Sequence, residues 1–335
     1  MIDKRKLDHL RICIEEDVES GDPGFENIRL EHKALPEVDF DEISMDIDLF
    51  GKTLRYPIII EGMSGGLGRG RKLNRDLARV AQDYGIGLGV GSQRIAIENT
   101  NLVDSFQVRD IAPDIFLIAN LGAVQLNYGY SIRECKTAIE MIDADALALH
   151  VNPLQEIIQP EGNKNFSNLI EKINSVAKKL EKPLILKCVG SGISYSTAKE
   201  LKVSAIDVGG VGGTSWSLIE GYRGKGIIRD IGREFAGWGI PTVESIIEVK
   251  KTNLPIIASG GIRSGIDAAK AIALGAECVG IALPILKAWS SNSIKGVKNF
   301  LDKFIYELKI CMFLTGSKSI KELNGKIRPD KSKHP

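Results

Sequence analysis

The sequence predicts a closed (β/α)8 barrel of the α/β class, and three observations predict it. Short runs rich in Ile, Val, Leu and Ala recur eight times, and none alternates with polar residues. Strands read this way when both faces are covered, as in a parallel sheet wrapped by helices. Helical patterns separate the runs, and strand-then-helix recurs about every 25–35 residues. Finally, 35 glycines and an aromatic content of only 6% suit a glycine-punctuated α/β chain better than an all-β sandwich. A chain of 335 residues is long enough to bury a core of that size.

Taken in order, residues 1–55 show no strand–helix alternation. "MIDKRKLDHLRICIEEDVES" is charged throughout, so it reads as a basic helix and not as a secretory leader. An irregular covering segment follows, "GFENIRLEHKALPEVDFDEISMDIDLFGK". The barrel is expected over 56–316. Its strands are "YPIIIEGM" (56–63), "GIGLGVG" (85–91), "IFLIANLG" (115–122), "ALALHVN" (146–152), "PLILKCVG" (183–190), "AIDVGG" (205–210), "PIIASGG" (255–261) and "CVGIALP" (278–284). "RKLNRDLARVAQDYG", "SNLIEKINSVAKKLEK" and "GIDAAKAIALGA" read as helices between them. Residues Val211 to Ile240 are long for a βα loop and suggest a lid, a binding loop or a partly disordered stretch. Residues 317–335 end in "KELNGKIRPDKSKHP", which reads as a solvated, frayed end.

Composition narrows the function. Forty-four basic residues balance 43 acidic ones, a net charge of +1 that leaves no electrostatic footprint for nucleic acid or an anionic membrane. The five cysteines are scattered with no C-x-x-C pair, which indicates a reduced, cytoplasmic setting and neither disulfide framework nor zinc knuckle. No stretch is long enough to span a bilayer. Neither G-x-G-x-x-G nor G-x-x-x-x-G-K-[ST] occurs, so the dinucleotide and P-loop folds lack their fingerprints.

In such a barrel, function gathers at the carboxyl ends of the strands. Strand one ends in Gly62, Met63, Ser64, Gly65 and Gly66, and strand two runs into Ser92, Gln93 and Arg94. Strand three brings Asn120 and Gln125; strand four brings His150, Asn152, Gln155 and Glu156. Lys187 and Ser191 follow on strand five, Thr214 after strand six, Gly260 to Arg263 after strand seven, and Ala282 and Leu283 after strand eight. "SGGIRSG" is the sharpest signal. Two glycines leave amides open at a turn, Ser264 can cap, and a helix begins at once, as in the phosphate sites of these barrels. A plain helix cap would use the same residues; the adjacent end of strand eight favours an anion.

Lys187 sits in the apolar run "LILKCVG", where an ammonium is costly unless an anion or polar ligand meets it. His150 closes "ALALH" and would pass for a buried core histidine were Asn152, Gln155 and Glu156 not beside it. Glu156 cannot form a protein-only metal cage, but one carboxylate suffices for a Mg²⁺ otherwise ligated by water and phosphate. Arg94 can clamp an anion. Arg5, Lys6 and His9 cluster on the first helix, a pattern that by itself marks a solvated face.

Together these stretches resemble the type 2 isopentenyl-diphosphate isomerases, which use FMN. "RKLDH", "EGMSGG", "GVGSQR", "ANLGAVQ", "HVNPLQE" with "QPEG", "KCVGSGIS", "DVGGVGGTSW" and "SGGIRSGIDAAKAIALGA" lie in that family's order and cover nearly the whole chain. "HVNPLQE" and "GVGSQR" are the specific ones, while "GGIRSG" is shared by many FMN barrels. Ser64 stands where the family often has threonine, and keeps the hydroxyl.

The resemblance implies an isomerase that moves a double bond between isopentenyl and dimethylallyl diphosphate. FMN would lie against Gly62, Met63, Ser64, Gly65, Ser92, Asn120, Lys187 and Thr214, with its phosphate on Gly261, Ile262, Arg263, Ala282 and Leu283. The glycines of "DVGGVGGTSW" would let backbone approach the ring, and Trp216 would pack that loop down. The diphosphate would fall to Arg5, Lys6, Ser92, Gln93, Arg94, His150 and Asn152, with Gln155 near the hydrocarbon end and Glu156 on Mg²⁺. Lys187, Gln155 and His150 would stand nearest the chemistry. Protonating an unactivated alkene needs a strong acid in a dry site, and no side chain here is one. The family's answer is reduced FMN, loaded by a reductant such as NADPH, in a homo-oligomer (tetramer or octamer). Two alternatives use the same barrel: an FMN-dependent 2-hydroxy-acid oxidase, weakened because the last histidine before the tail is His150 on strand four, and a non-catalytic phosphate-binding barrel.

Overall fold

In the computed structural model, which describes residues 2–65 and 68–328, each of the eight apolar runs contains one strand of a closed parallel barrel. A short hairpin comes first, β1 (Ile47–Leu49) and β2 (Lys52–Leu54). The barrel strands follow: β3 (Ile58–Ile60), β4 (Gly87–Gly89), β5 (Leu117–Gly122), β6 (Ala146–Val151), β7 (Leu184–Cys188), β8 (Ala205–Asp207), β9 (Ile256–Ser259) and β10 (Cys278–Ile281). Neighbours in sequence are neighbours in the sheet, and β10 closes onto β3 with Val279 opposite Ile58 and Ile281 opposite Ile60.

Helices wrap the barrel because their apolar positions recur on one face. They are α1 (Ile2–Glu15), α2 (Arg69–Tyr84), α3 (Arg94–Glu98), α4 (Ile132–Ile142), α5 (Pro153–Ile158), α6 (Leu169–Lys179), α7 (Tyr195–Ala198), α8 (Trp216–Arg223), α9 (Ile227–Glu234), α10 (Thr242–Lys250), α11 (Gly265–Leu274), α12 (Leu283–Leu314, kinked at Asn292–Ser293) and α13 (Ile320–Leu323).

Residues 2–55 form an ordered strap joining the two ends of the barrel. α1 lies at the strands' carboxyl ends, where Lys6 Nζ donates to the Ser92 carbonyl at 2.9 Å. The chain then runs down the outside. Glu19 bridges to Thr214, Lys270 donates to the Phe25 carbonyl, and Leu30 bridges to Ile327. It ends in the β1–β2 hairpin, whose turn residues Phe50 and Gly51 both have positive φ, as tight hairpin turns require. Leu49 and Leu54 of this hairpin join Ile59, Ile118, Ala148, Ile185 and Ile257 in an apolar layer that seals the amino end of the barrel.

Two expectations are revised. Val211–Ile240 is no bare loop: α8 and α9 fill most of it, and Ser217 Oγ donates to the Gly232 carbonyl at 2.6 Å. A Cβ on Gly232 would lie 2.6 Å from Gly221 Cα, so the helices touch backbone to backbone. The stretch expected to be a solvated end is packed as far as it is described. Ile320 and Leu323 are buried, because a short helix turns its two apolar residues onto α11. Residues 329–335 and Gly66 lie outside the described residues.

Candidate active site

One cavity occupies the carboxyl ends of the strands, and all but two of the predicted site residues line it. Parallel strands deliver their last residues to one end of a barrel, so side chains distant in sequence converge there.

At its deepest, Lys187 of β7 lies between two carboxylates that sequence reasoning missed. Its Nζ is 2.9 Å from Glu61 Oε2 and 2.5 Å from Asp207 Oδ2. Ser259 Oγ donates to the other oxygen of Asp207 at 2.5 Å. Burial would lower the Lys187 pKa, but the charges of Asp207 and Glu61 outweigh it and the net shift is upward. Burial, followed by the charge of Asp207, pushes the Glu61 carboxyl up to about 8. A signal was present: Glu61 in "PIIIEGM" and Asp207 in "AIDVGG" are ionisable residues in apolar runs, the same anomaly that marked Lys187.

On β6, His150 Nδ1 lies 2.7 Å from Asn120 Oδ1 on β5. An amide oxygen only accepts, so Nδ1–H donates to it. Burial, then the nearby charge of Lys187, holds the His150 pKa down at about 4, and the ring is neutral at pH 7. The Asn120 backbone is fixed in turn, its N–H donating to Gln93 Oε1 at 2.9 Å. This corrects the assignment of Gln93 to a ligand. It is fully buried in the wall, its amide donating to the Ala138 carbonyl at 2.8 Å, and it holds Asn120 in place. Gly65 is the second exception: a Cβ there would lie 2.0 Å from Phe106, so the residue packs against a ring behind the cavity.

The basic side chains gather on the β4–β6 side. Arg94 Nη1 donates to Asn163 Oδ1 at 3.0 Å, and Arg5, Lys6 and His9 reach the cavity from α1. His9 and Gln155 both meet Glu220 of α8, at 2.9 and 3.1 Å, and Arg223 pairs with the same carboxylate. Burial pushes the Glu220 pKa up, but the His9 hydrogen bond and the others outweigh it and hold the group below its usual range. Glu220 also went unpredicted, although it is a lone acid between the apolar residues of "SWSLIEGY". Trp216 packs edge-on to His9 and so ties α8 to α1. Glu156 accepts from the Asn163 amide at 2.5 Å and lines the cavity; no cluster of three metal-ligating acids, histidines or cysteines occurs among the described residues.

Across the barrel, β9 runs into Gly260 and Gly261, with φ of 98° and 72°, consecutive left-handed conformations that glycine alone adopts freely. The expected cap is present: Ser264 and Asp267 form a capping box on α11. Asp267 also takes the Arg263 N–H at 3.0 Å, and Glu19 holds the Arg263 guanidinium. Among the described residues, the amides of Gly261 and Ile262 donate to nothing. Beside them, Ala282 and Leu283 start α12, whose first-turn amides are unpaired by helix geometry.

The glycines of "DVGGVGGTSW" are required by protein packing, and Gly209 and Gly210 also line the cavity. A Cβ on Gly209 would lie 2.0 Å from the Cys188 carbonyl, one on Gly210 2.4 Å from Thr242, one on Gly212 2.1 Å from Pro23, and one on Gly213 2.5 Å from the Gly261 amide. The stretch is a seam where strap, β7 and the β9 turn meet.

Comparison with known proteins identifies the family. Residues 133–329 match the family model described as FMN-dependent dehydrogenase. Isopentenyl-diphosphate delta-isomerases of Archaeoglobus fulgidus and Nostoc are 48% and 46% identical to this chain, over 96% and 95% of it and 94% and 93% of their own lengths. In structure, the chain resembles a flavocytochrome b2 variant with pyruvate bound (TM-score 0.69, 17% identity, 98% of this chain and 85% of that one). It also resembles a lactate oxidase of Pediococcus acidilactici (TM-score 0.63, 17% identity, 96% and 85%). Those two likenesses speak to the fold alone. With nearly half of its residues identical over almost its full length, the chain belongs to the type 2, FMN-dependent isopentenyl-diphosphate delta-isomerase family.

Proposed function

We propose that this chain interconverts isopentenyl diphosphate and dimethylallyl diphosphate by a 1,3-proton shift, with FMN seated in its reduced form at the barrel mouth. The observation that carries this reading is a cavity with two anion-binding ends on opposite sides of one ring of strands. Free amides follow β9 and β10; the strand order puts β5 and β6, with Asn120 and His150, directly across, and Arg94 opens α3 after the adjoining β4. One end suits the FMN phosphate and the other a diphosphate.

The residues fit the cofactor on a further count. Ser64 Oγ and Asn152 Oδ1 are buried cavity atoms without a hydrogen-bond partner among the described residues, a costly condition that a polar ligand would relieve. Met63, Ser92, Thr214 and Gly62 would complete the ring's wall, and Lys187 would meet it from below. Bound there, reduced FMN supplies the acid and base that no lining side chain offers. Lys187 would hold negative charge beside the ring, and Arg5, Lys6, Arg94 and neutral His150 would hold the diphosphate. Gln155, fixed by Asn152 and Glu220, would orient the hydrocarbon. Glu156 would hold a Mg²⁺ that keeps its waters and phosphate oxygens.

We place the enzyme in the cytoplasm, with NADPH as reductant. No helix among the described residues is long and apolar enough to cross a membrane. Leu7, Ile157, Ile227 and Trp238 are exposed, which supports a homo-oligomer, and we propose a tetramer or octamer. The 2-hydroxy-acid oxidase reading loses ground, because the described histidines are His9, His32 and His150 and none follows the late strands.

The test is direct. Purified protein is expected to carry FMN, to bleach with NADPH under anaerobic conditions, and then to interconvert the two diphosphates only while reduced. Absence of bound flavin, or full activity of the oxidised protein, defeats the reading.

A further inference from the structure

The Lys187 cluster holds one carboxylate more than it has cations. Lys187, Glu61 and Asp207 are almost wholly buried, their side chains 13%, 8% and 3% exposed. Fully ionised, they would leave one uncompensated negative charge under the mouth, a state that burial strongly disfavours. The donors are shared unequally. Asp207 accepts from Lys187 and from Ser259, whereas among the described residues Glu61 meets no donor but Lys187. The backbone makes special room for Glu61: a Cβ at Gly280 on β10 would lie 2.0 Å from Glu61 Oε1. Any other residue at 280 would oblige the carboxyl to shift from this position.

We infer that Glu61 is a positioning residue that carries a proton whenever an anion lies over Lys187, so that the cluster presents no net charge to that anion. The inference rests on the FMN reading above and deepens it, since the anion is then the reduced flavin. The groups facing Glu61 are the Lys187 ammonium from β7, the Asp207 carboxylate from β8 and the buried Cys278 thiol from β10. His150 on β6, beyond Lys187, is neutral. Only Lys187 favours the ionised carboxylate. Burial and Asp207 oppose it and set the carboxyl near 8. Reduction places further negative charge beside Lys187 and raises that value. Above pH 8 the two electrons therefore arrive with two protons from solvent, one to the ring and one to the Glu61 carboxylate.

The midpoint potential of the bound flavin reads this out. It is measured by anaerobic dithionite titration against a redox dye between pH 7.5 and 9.5. Each proton taken up with two electrons contributes about 30 mV per pH unit. The wild type is expected to steepen to twice that slope, ~60 mV per pH unit, above pH 8, while Glu61→Gln keeps the single-proton slope throughout. Equal slopes in the two proteins overturn the inference. Should the Gln variant fail to fold, infrared spectroscopy of the wild type decides. A protonated-carboxyl stretch that disappears as pH rises through about 8 supports it, and no such band at pH 7 overturns it. A protein that binds no FMN would defeat the cofactor reading, and the infrared titration of the flavin-free chain would still decide where the proton sits.

Discussion

A buried histidine close to two lysines does not readily take a second proton, and His150 is held neutral for that reason. Its pKa in the folded protein, about 4, lies below the ordinary value of 6.5 because burial and the charges of Lys187 and Lys6 penalise the imidazolium. The unfolded chain therefore binds the proton more readily. Stability from this group is complete above about pH 6.5 and is lost as pH falls toward 4, on the order of 3 kcal/mol in all. Thermal melts of the ligand-free protein should show that decline, and His150→Asn should flatten it over the same window. An unchanged pH profile in the variant would assign the loss to other groups. The residue scale was also the least evenly legible. Lys187 stands out in its apolar run, and its partners Glu61 and Asp207 carry the same anomaly without the cue of a lone cation. Gln93 shows the opposite failure. Its position beside Ser92 and Arg94 suggests a ligand, yet at the start of α3 it turns into the wall, where the Ala138 carbonyl and the Asn120 amide take up its side chain.

At the scale of elements, the seam around Gly209–Gly213 fixes how the strap, α8 and the late strands fit together. Gly212 has φ +112°, and a Cβ there would lie 2.1 Å from the Pro23 nitrogen, which is backbone and cannot swing aside. Gly51 offers a control, with φ +82° and no atom within 4 Å of where a Cβ would stand. Gly51→Ala should cost only the left-handed strain, about 1–2 kcal/mol. Gly212→Ala should cost more, roughly 2–4 kcal/mol, since it adds a backbone collision. Urea denaturation of both variants gives the comparison, and equal losses would mean the seam relaxes freely. Sequence pattern located the strands and the helices α2, α6 and α11 well, because burial on both faces and the 3.6-residue period leave plain traces. It did not resolve α8 and α9, whose short amphipathic stretches are interrupted by glycines that only make sense as helix–helix contacts.

For the whole molecule, the two ends of the barrel divide the work. The β1–β2 hairpin seals the amino end with Leu49 and Leu54, and the strap's other end brings Arg5 and Lys6 to the mouth. Leu54→Ala should therefore lower stability by about 2–5 kcal/mol while leaving kcat/KM for the diphosphate substrate near the wild-type value. Denaturant melts and steady-state assays below the melting range check this together. A large loss of kcat/KM at intact fold would show that the base and the mouth are coupled.

What the chain's order of residues determined alone was the barrel, its eight strands, and the set of residues bound for one end of it. Those follow from periodicity and from the rule that parallel strands all finish on the same side. Which of these residues face the cavity, which serve the wall, and which carboxylates share a lysine were decided only by tertiary structure. Charge balance in a buried cluster depends on distances across strands far apart in sequence, and no local pattern records them.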